Sequence, residues 1–141
     1  MRRLVAALLG PRFRGVRMAG FAVYAAILFT GTHWPALDIR TDVIERPDLA
    51  VHFVAFALWT LALWQSGLVG DPLRMGTVAR CVPIGVVYAA IDEGLQAIPA
   101  LRRTCAWDDY AFNCIGVLIG AGIALACVAL VGRRGARHEQ R

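Results

Sequence analysis

Polar and ionisable side chains recur in and beside the apolar stretches of this sequence. They include carboxylates, amides, a histidine and an arginine: Asp48, His52, Asp92, Glu93, Gln96, Arg103, Asp109 and Asn113. An ionisable side chain inside a membrane-spanning segment costs about 2.5–3.5 kcal/mol on insertion scales, so such residues usually serve a function. Carboxylates and imidazoles exchange protons, and a guanidinium group binds anions. The set therefore predicts acid–base chemistry or anion binding.

Three of these residues are candidates for proton transfer. Glu93 is a possible proton donor or acceptor, His52 a possible general base or hydrogen-bond donor, and Asp109 a third candidate. The alternatives are a structural ion pair for Glu93 and a packing hydrogen bond between helices for His52. Asp92 lies about 100° from Glu93 around a helix, so the two carboxylates cannot face the same spot. We expect one of them to be structural.

Arg103 is the candidate anion-binding residue, because its planar guanidinium group matches phosphate and carboxylate oxygens. The alternative is an ion pair with Asp109, six residues later. Asp109 can also cap the start of a helix, where its carboxylate would accept hydrogen bonds from free backbone N–H groups.

Other catalytic chemistries find little support. His33, His52 and His138 show no H-x-x-x-H or H-E-x-x-H spacing, so we expect no metal and no cofactor. Ser66 is the only serine, and no cysteine has a histidine close to it in sequence. Nucleophilic catalysis by serine or cysteine is therefore disfavoured.

The composition indicates the elements that must hold these residues. The chain has 141 residues, of which 58% are hydrophobic and 18% charged, with a mean hydropathy of +0.57. Soluble domains are usually about 45–50% apolar and about 25% charged. All 15 basic residues are arginines, placed in short clusters between apolar runs rather than along one face. The composition predicts one integral membrane domain in the lipid bilayer and no nucleic-acid partner.

The apolar runs predict four membrane-spanning helices, at residues 18–32, 49–69, 81–98 and 110–132. A spanning helix needs about 20 residues, so the first run is the shortest. The runs are too long and too uniform for membrane strands. We expect an all-α bundle over residues 18–132, between a basic segment at 1–17 and a basic tail at 133–141.

Arginine placement predicts the orientation of this bundle in the membrane. The N-terminal segment, the loop with Arg74 and Arg80, and the tail are rich in arginine, so we expect both termini in the cytoplasm. The polar residues then share the outer level of the membrane. Asp48 and His52 are four residues apart, as are Asp109 and Asn113, so each pair shares a helix face. These faces are expected to line an outward-facing pocket.

Smaller features predict packing and breaks. Gly116 and Gly120 have the spacing that allows close helix approach, and they are also a possible contact between copies of the chain. Pro99 is expected to end the third membrane-spanning helix. Tryptophans near segment ends are typical of anchors at the membrane surface: Trp34, Trp59, Trp64 and Trp107.

The ordered motifs resemble the VanZ-like family of small bacterial membrane proteins. They are Asp48-Leu-Ala-Val-His52-Phe-Val-Ala-Phe56, Asp92-Glu93-Gly-Leu-Gln96, Pro99, Arg103, Asp109-Tyr-Ala-Phe-Asn113 and Cys114-Ile-Gly116. The resemblance implies that the family's motif positions fall on Asp48, His52, Glu93, Gln96, Arg103, Asp109, Asn113 and Gly116. Leu49 and Arg102 depart from it, since the family usually has lysine and often glycine at these places. The family's namesake is associated with low-level resistance to the glycopeptide teicoplanin, and no settled enzymatic activity accompanies the family.

Three hypotheses follow for a multi-pass protein of the bacterial cytoplasmic (inner) membrane. In the first, the outer pocket binds an anionic lipid or a lipid-linked cell-wall precursor, with a possible link to teicoplanin resistance. In the second, a small membrane enzyme uses His52 and Glu93 for hydrolysis or group transfer. In the third, the polar residues only hold the bundle together.

Overall fold

The computed structural model describes residues 2–35, 46–102 and 105–132. Within these ranges every regular element is a helix. The α-helices are α1 (Arg2–Leu9), α2 (Arg14–Thr32), α3 (Pro47–Ser66), α4 (Met75–Gln96) and α5 (Trp107–Gly132). Short 3-10 turns at Pro11–Phe13 and Pro99–Leu101 precede α2 and follow α4.

Four helices are long and apolar enough to cross a membrane, which confirms the predicted all-α, multi-pass architecture. They are Pro11–Thr32, Pro47–Ser66, Met75–Gln96 and Trp107–Val131. The third membrane-spanning helix, α4, begins at Met75 rather than near Cys81. The predicted placement of Arg80 in a loop was therefore wrong. Arg80 is tolerated inside the helix because its long side chain reaches back to the carbonyl oxygen of Val69, at 3.1 Å.

Helix boundaries follow local chemistry. Pro47 occupies the first turn of α3, where its missing N–H is not needed. Gly67 ends this helix in a left-handed conformation, with φ of 76°. α4 stops at Gln96, and the chain turns at Pro99, as the proline predicted.

The helices run up and down and thereby form two chemically different ends. α2 and α4 finish, and α3 and α5 begin, at what we term the polar end, which contains His52, Asp92 and Asn113. The opposite end, termed the arginine end, contains the start of α2 and the connection between α3 and α4. Hydrogen bonds at both ends hold α2 against its neighbours. Arg17 donates to the backbone carbonyl of Gln65 on the antiparallel α3, and Thr32 donates to Asp92 on the parallel α4.

α3 and α5 form the most extensive helix pair, and glycines make it close. The α5 face at Gly116 lies directly on the Phe53 carbonyl of α3, and a Cβ at Gly120 would be only 2.5 Å from the Ala57 carbonyl oxygen. Only glycine allows backbones to approach this closely. This face is covered by α3 of the same chain. Assigning these two glycines to a contact between copies was therefore wrong.

Aromatic side chains join α2 to the α3–α4 pair. The Trp59 ring stacks on Tyr88 with centroids 4.7 Å apart and meets the Phe21 ring edge-on at 5.5 Å. Trp59 and Trp64 are both buried in the bundle, so their predicted role as surface anchors was wrong. Trp107, in contrast, is almost fully exposed.

Substitution of Gly116 tests the α3–α5 contact. Gly116→Ala should destabilise the folded protein by about 1–3 kcal/mol, because the new methyl group would overlap the α3 backbone. Gly122→Ala is the matched control on the same helix, since a Cβ there meets no atom within 4 Å. Thermal unfolding in detergent would measure both. Equal melting temperatures for the two variants would contradict the packing.

Cys105 tests the predicted orientation of the bundle. This cysteine is exposed just before α5, at the polar end. A membrane-impermeant maleimide should label it in intact cells, because the arginine distribution predicts that the polar end faces outward. Cys105→Ser should remove the signal. In that background, Leu68→Cys at the arginine end should label only after the membrane is permeabilised, and the reverse pattern would overturn the orientation.

Candidate functional site

His52, Asp109 and Asn113 meet at the polar end because the glycines bring the first turns of α3 and α5 together. The His52 Nδ1 atom lies 3.0 Å from Asn113 Oδ1. An amide oxygen can only accept, so Nδ1–H is the donor. The other ring nitrogen, Nε2, then faces Asp109 Oδ2 at 3.9 Å. All three residues are buried. Asn113 thus orients the imidazole and leaves Nε2 directed toward a carboxylate.

Glu93 connects the end of α4 to the start of α5. Its Oε1 accepts the backbone N–H of Ala106 at 2.8 Å, and its Oε2 accepts from Gln96 Nε2 at 3.4 Å. Glu93 is also near enough to Asp109 and His52 for their charges to interact. Five of the motif positions predicted from the sequence therefore lie in a single cluster: His52, Glu93, Gln96, Asp109 and Asn113.

Asp109 is the third residue of α5, not its cap. The helix begins at Trp107, so the proposed capping role was wrong. The backbone N–H of Asp109 is instead accepted by Asp108 Oδ1, at 3.2 Å. The Asp109 side chain points toward His52.

Asp92 lies at the edge of this cluster and contacts the end of α2. Its Oδ1 accepts the Thr32 hydroxyl at 2.9 Å and lies 3.7 Å from His33 Nδ1. The two neighbouring carboxylates thus contact different elements, α2 for Asp92 and the chain just before α5 for Glu93, while the Gln96 side chain interacts with both. Thr32 and His33 were not predicted as site residues from the sequence. The available signal was their position at the end of the first span, level with Asp92.

A charged rim lies outside the buried cluster. Arg46 bridges the first turns of α3 and α5, contacting Asp48 at 3.0 Å and Asp108 at 2.8 Å. Hydrogen bonds to Asp48 and Asp108 raise the pKa of Arg46 above its ordinary value, so it stays cationic. These three side chains are all partly exposed, and exposed ion pairs contribute little stability. Asp48, predicted as a ligand residue, is at this rim, while Arg46 and Asp108 were missed.

Several buried polar atoms at the polar end have no hydrogen-bond partner in the described part of the chain. They are His33 Nε2, Asp92 Oδ2, Asp109 Oδ1 and Asn113 Nδ2. A buried polar group left unpaired costs about 1–3 kcal/mol, and folded proteins contain few of them. Two of these atoms, Asp109 Oδ1 and Asn113 Nδ2, belong to the side chains that contact His52.

The described cluster combines hydrogen-bond acceptors with a few donors. Glu93 and Asp109 offer carboxylate oxygens, whereas Asn113 Nδ2 is a free donor. Such a set suits a ligand that carries hydroxyl or amide N–H donors together with an oxygen that accepts from the Asn113 amide. Arg103, the predicted anion-binding residue, lies outside the described residues.

Comparison with known proteins gives one match. The model of the VanZ/LLP1 family matches residues 50–130, which is more than half of the chain and includes every member of the buried cluster. No curated protein and no solved structure matches the chain. The resemblance seen in the sequence motifs is thereby confirmed, and the chain belongs to the VanZ/LLP1 family.

Proposed function

We propose that this VanZ/LLP1 membrane protein binds an anionic ligand of the bacterial cell envelope at its polar end. The ligand would be a lipid headgroup or a lipid-linked cell-wall precursor. The observation that carries this proposal is the pair of unsatisfied buried atoms, Asp109 Oδ1 and Asn113 Nδ2, beside His52. Binding would supply the hydrogen bonds that the folded chain leaves unmade. In this proposal the protein resides in the cytoplasmic membrane and its polar end faces outward.

In this proposal, hydrogen-bond donors and acceptors of the site would contact different groups of the ligand. Arg103 and the Asn113 amide N–H would donate to the anionic group, since both are donors. Asp109 would accept a hydrogen bond from a hydroxyl or amide group of the same ligand. Glu93 is already engaged by Ala106 and Gln96, so it would shape the site and fix the start of α5. Asp48 would act at the rim, where Arg46 already pairs with it.

One observation favours an enzyme as the second candidate. Asn113 fixes one nitrogen of the His52 ring, and the other faces Asp109 with Glu93 nearby. An imidazole oriented in this way is suited to general acid–base catalysis, such as hydrolysis of a lipid-linked phosphate. The exposed fraction of His52 is only 5%, so a substrate would have to enter between the helices.

Asn113→Asp tests ligand binding with almost no change in side-chain shape. The variant keeps the oxygen that accepts from His52 but replaces the free donor with a carboxylate oxygen. Binding of a polyprenyl diphosphate to the full chain in nanodiscs should weaken by about 10-fold or more, the value of a lost hydrogen bond to a charged group. Arg103→Gln, as a second variant, should weaken binding comparably. Native mass spectrometry would measure both.

Asp108→Asn is the matched control, because it exchanges the same two functional groups on the same helix but at the exposed rim. It should leave binding within about twofold of wild type. The melting temperature in detergent is the second readout. Unchanged binding together with lower melting temperatures in Asn113→Asp would overturn the proposal in favour of the structural role. Release of phosphate from the probe with a bell-shaped pH profile, lost in His52→Ala, would identify the enzyme instead.

A link to glycopeptide resistance is part of the proposal, since the family's namesake is associated with teicoplanin. Expression in a susceptible host should raise the minimal inhibitory concentration of teicoplanin by at least one doubling dilution, because a bound cell-wall precursor would be less available to the drug. Asn113→Asp should abolish the increase and Asp108→Asn should preserve it, at equal membrane abundance. If Asn113→Asp still raised the minimal inhibitory concentration of teicoplanin, resistance would not depend on ligand binding at this site.

A further inference from the structure

The arginine end contains two adjoining cavities that the proposed function does not use. One, of about 470 Å³, lies between the start of α2 and the connection from α3 to α4. The other, of about 460 Å³, lies between this connection and the first turns of α4. Asp71 lines both. The charged and hydroxyl side chains that line the two cavities are Arg14, Arg17, Asp71, Arg74, Thr77 and Arg80.

Two of the arginines are held in place without losing their charge. Arg17 donates to the backbone carbonyls of Leu8, Gly10 and Gln65, and Arg80 donates to that of Val69. A carbonyl oxygen is neutral, so these bonds position the guanidinium groups but do not neutralise them. Each cavity is therefore lined by one arginine that is held in place and keeps its positive charge.

A single carboxylate is present among the residues that line the two cavities. Asp71 Oδ1 accepts the backbone N–H of Leu73 at 2.9 Å, and its Oδ2 is 3.9 Å from Arg74 Nε. Four arginines thus face one acid, and an excess of positive charge is left for an anion. Small phosphate-sized anions match this charge and the donor geometry of arginine.

Gly70 builds the wall between the connection and α4. Its φ of +140° is a conformation that other residues rarely adopt. A Cβ here would also lie 2.7 Å from the Thr77 hydroxyl and 3.1 Å from Arg80 Nη1. The glycine therefore lets the backbone pack directly against two of the groups that line the cavity.

Apolar side chains beside the cavities indicate that the anion belongs to a lipid. Val16, Leu68 and Met75 expose 72%, 47% and 56% of their surface at this end. Exposed apolar groups next to basic groups are the pattern expected where a helix bundle meets lipid headgroups. A soluble phosphate would gain nothing from these neighbours.

We propose that the arginine end binds the phosphate group of an anionic phospholipid from the adjacent leaflet, between Arg74 just before α4, Arg80 of α4 and Arg14 of α2. The phosphate oxygens would accept from the guanidinium groups and from the Thr77 hydroxyl. The acyl chains would lie along the exposed apolar side chains. This site is separate from the polar end and does not depend on the function proposed there.

Removal of two cavity arginines tests the site. The double variant Arg74→Gln/Arg80→Gln, as purified full chain stripped of lipid, should bind phosphatidylglycerol about 25-fold more weakly than wild type. This corresponds to about fivefold per basic contact. Arg12→Gln is the matched control at the same end, since Arg12 lies over the Phe13 ring and does not line either cavity. Arg74→Gln alone should weaken binding about fivefold, and its side chain is 80% exposed, so folding should be unaffected.

Native mass spectrometry with phosphatidylglycerol, phosphatidylcholine and inorganic phosphate distinguishes the sources of the anion. Preference for phosphatidylglycerol that inorganic phosphate does not displace supports a lipid headgroup. Displacement by inorganic phosphate supports the phosphate site but makes the ligand a soluble anion. Wild-type binding in the double variant, or an equal loss in Arg12→Gln, overturns the site. Asn113→Asp should bind phosphatidylglycerol here unchanged, so failure at one end is distinguishable from failure at the other.

Discussion

The close contact between α3 and α5 is the constraint on which the polar end depends. Gly116 and Gly120 have no side chains to separate the two backbones, so the helices touch at Phe53 and Ala57. Asn113 lies one turn before Gly116 on α5, and His52 immediately precedes Phe53 on α3. Their hydrogen bond therefore forms at the point where the helices are already held together. A wider helix pair would leave both side chains without this partner.

Because the polar side chains at the polar end are buried, they need hydrogen-bond partners within the protein or from a bound molecule. His52, Glu93, Asp109 and Asn113 all lie in a bundle whose other interior residues are largely apolar. Each polar group there needs a partner, because little water is available to replace one. Glu93 finds its partners within the chain, whereas Asp109 and Asn113 each retain one unpaired atom. In the proposed function, this difference makes Glu93 the residue that organises the site, and Asp109 and Asn113 the residues that bind the ligand.

The two ends of the bundle use charge in opposite ways. At the polar end, acidic side chains outnumber the described basic ones, and Arg46 is neutralised by Asp48 and Asp108. At the arginine end, guanidinium groups are held by neutral carbonyls and keep their charge. These backbone carbonyls are available to accept from arginine because they lie at the ends of helices or in the connection between α3 and α4, where they have no partner within a helix. Arginine thus forms ion pairs with acidic side chains at the polar end and creates a cationic surface at the arginine end.

The sequence by itself determined the four membrane-spanning helices, the family and the polar positions, because hydrophobic length and motif spacing are properties of the chain alone. It also separated Asp92 from Glu93, since helical periodicity fixes their angle. Only the tertiary structure decided that Trp59 and Trp64 are buried, that Gly116 packs against α3, and that Asp92 pairs with Thr32 and His33. These outcomes depend on which helix faces lie against each other, and periodicity within one helix contains no information about its neighbour.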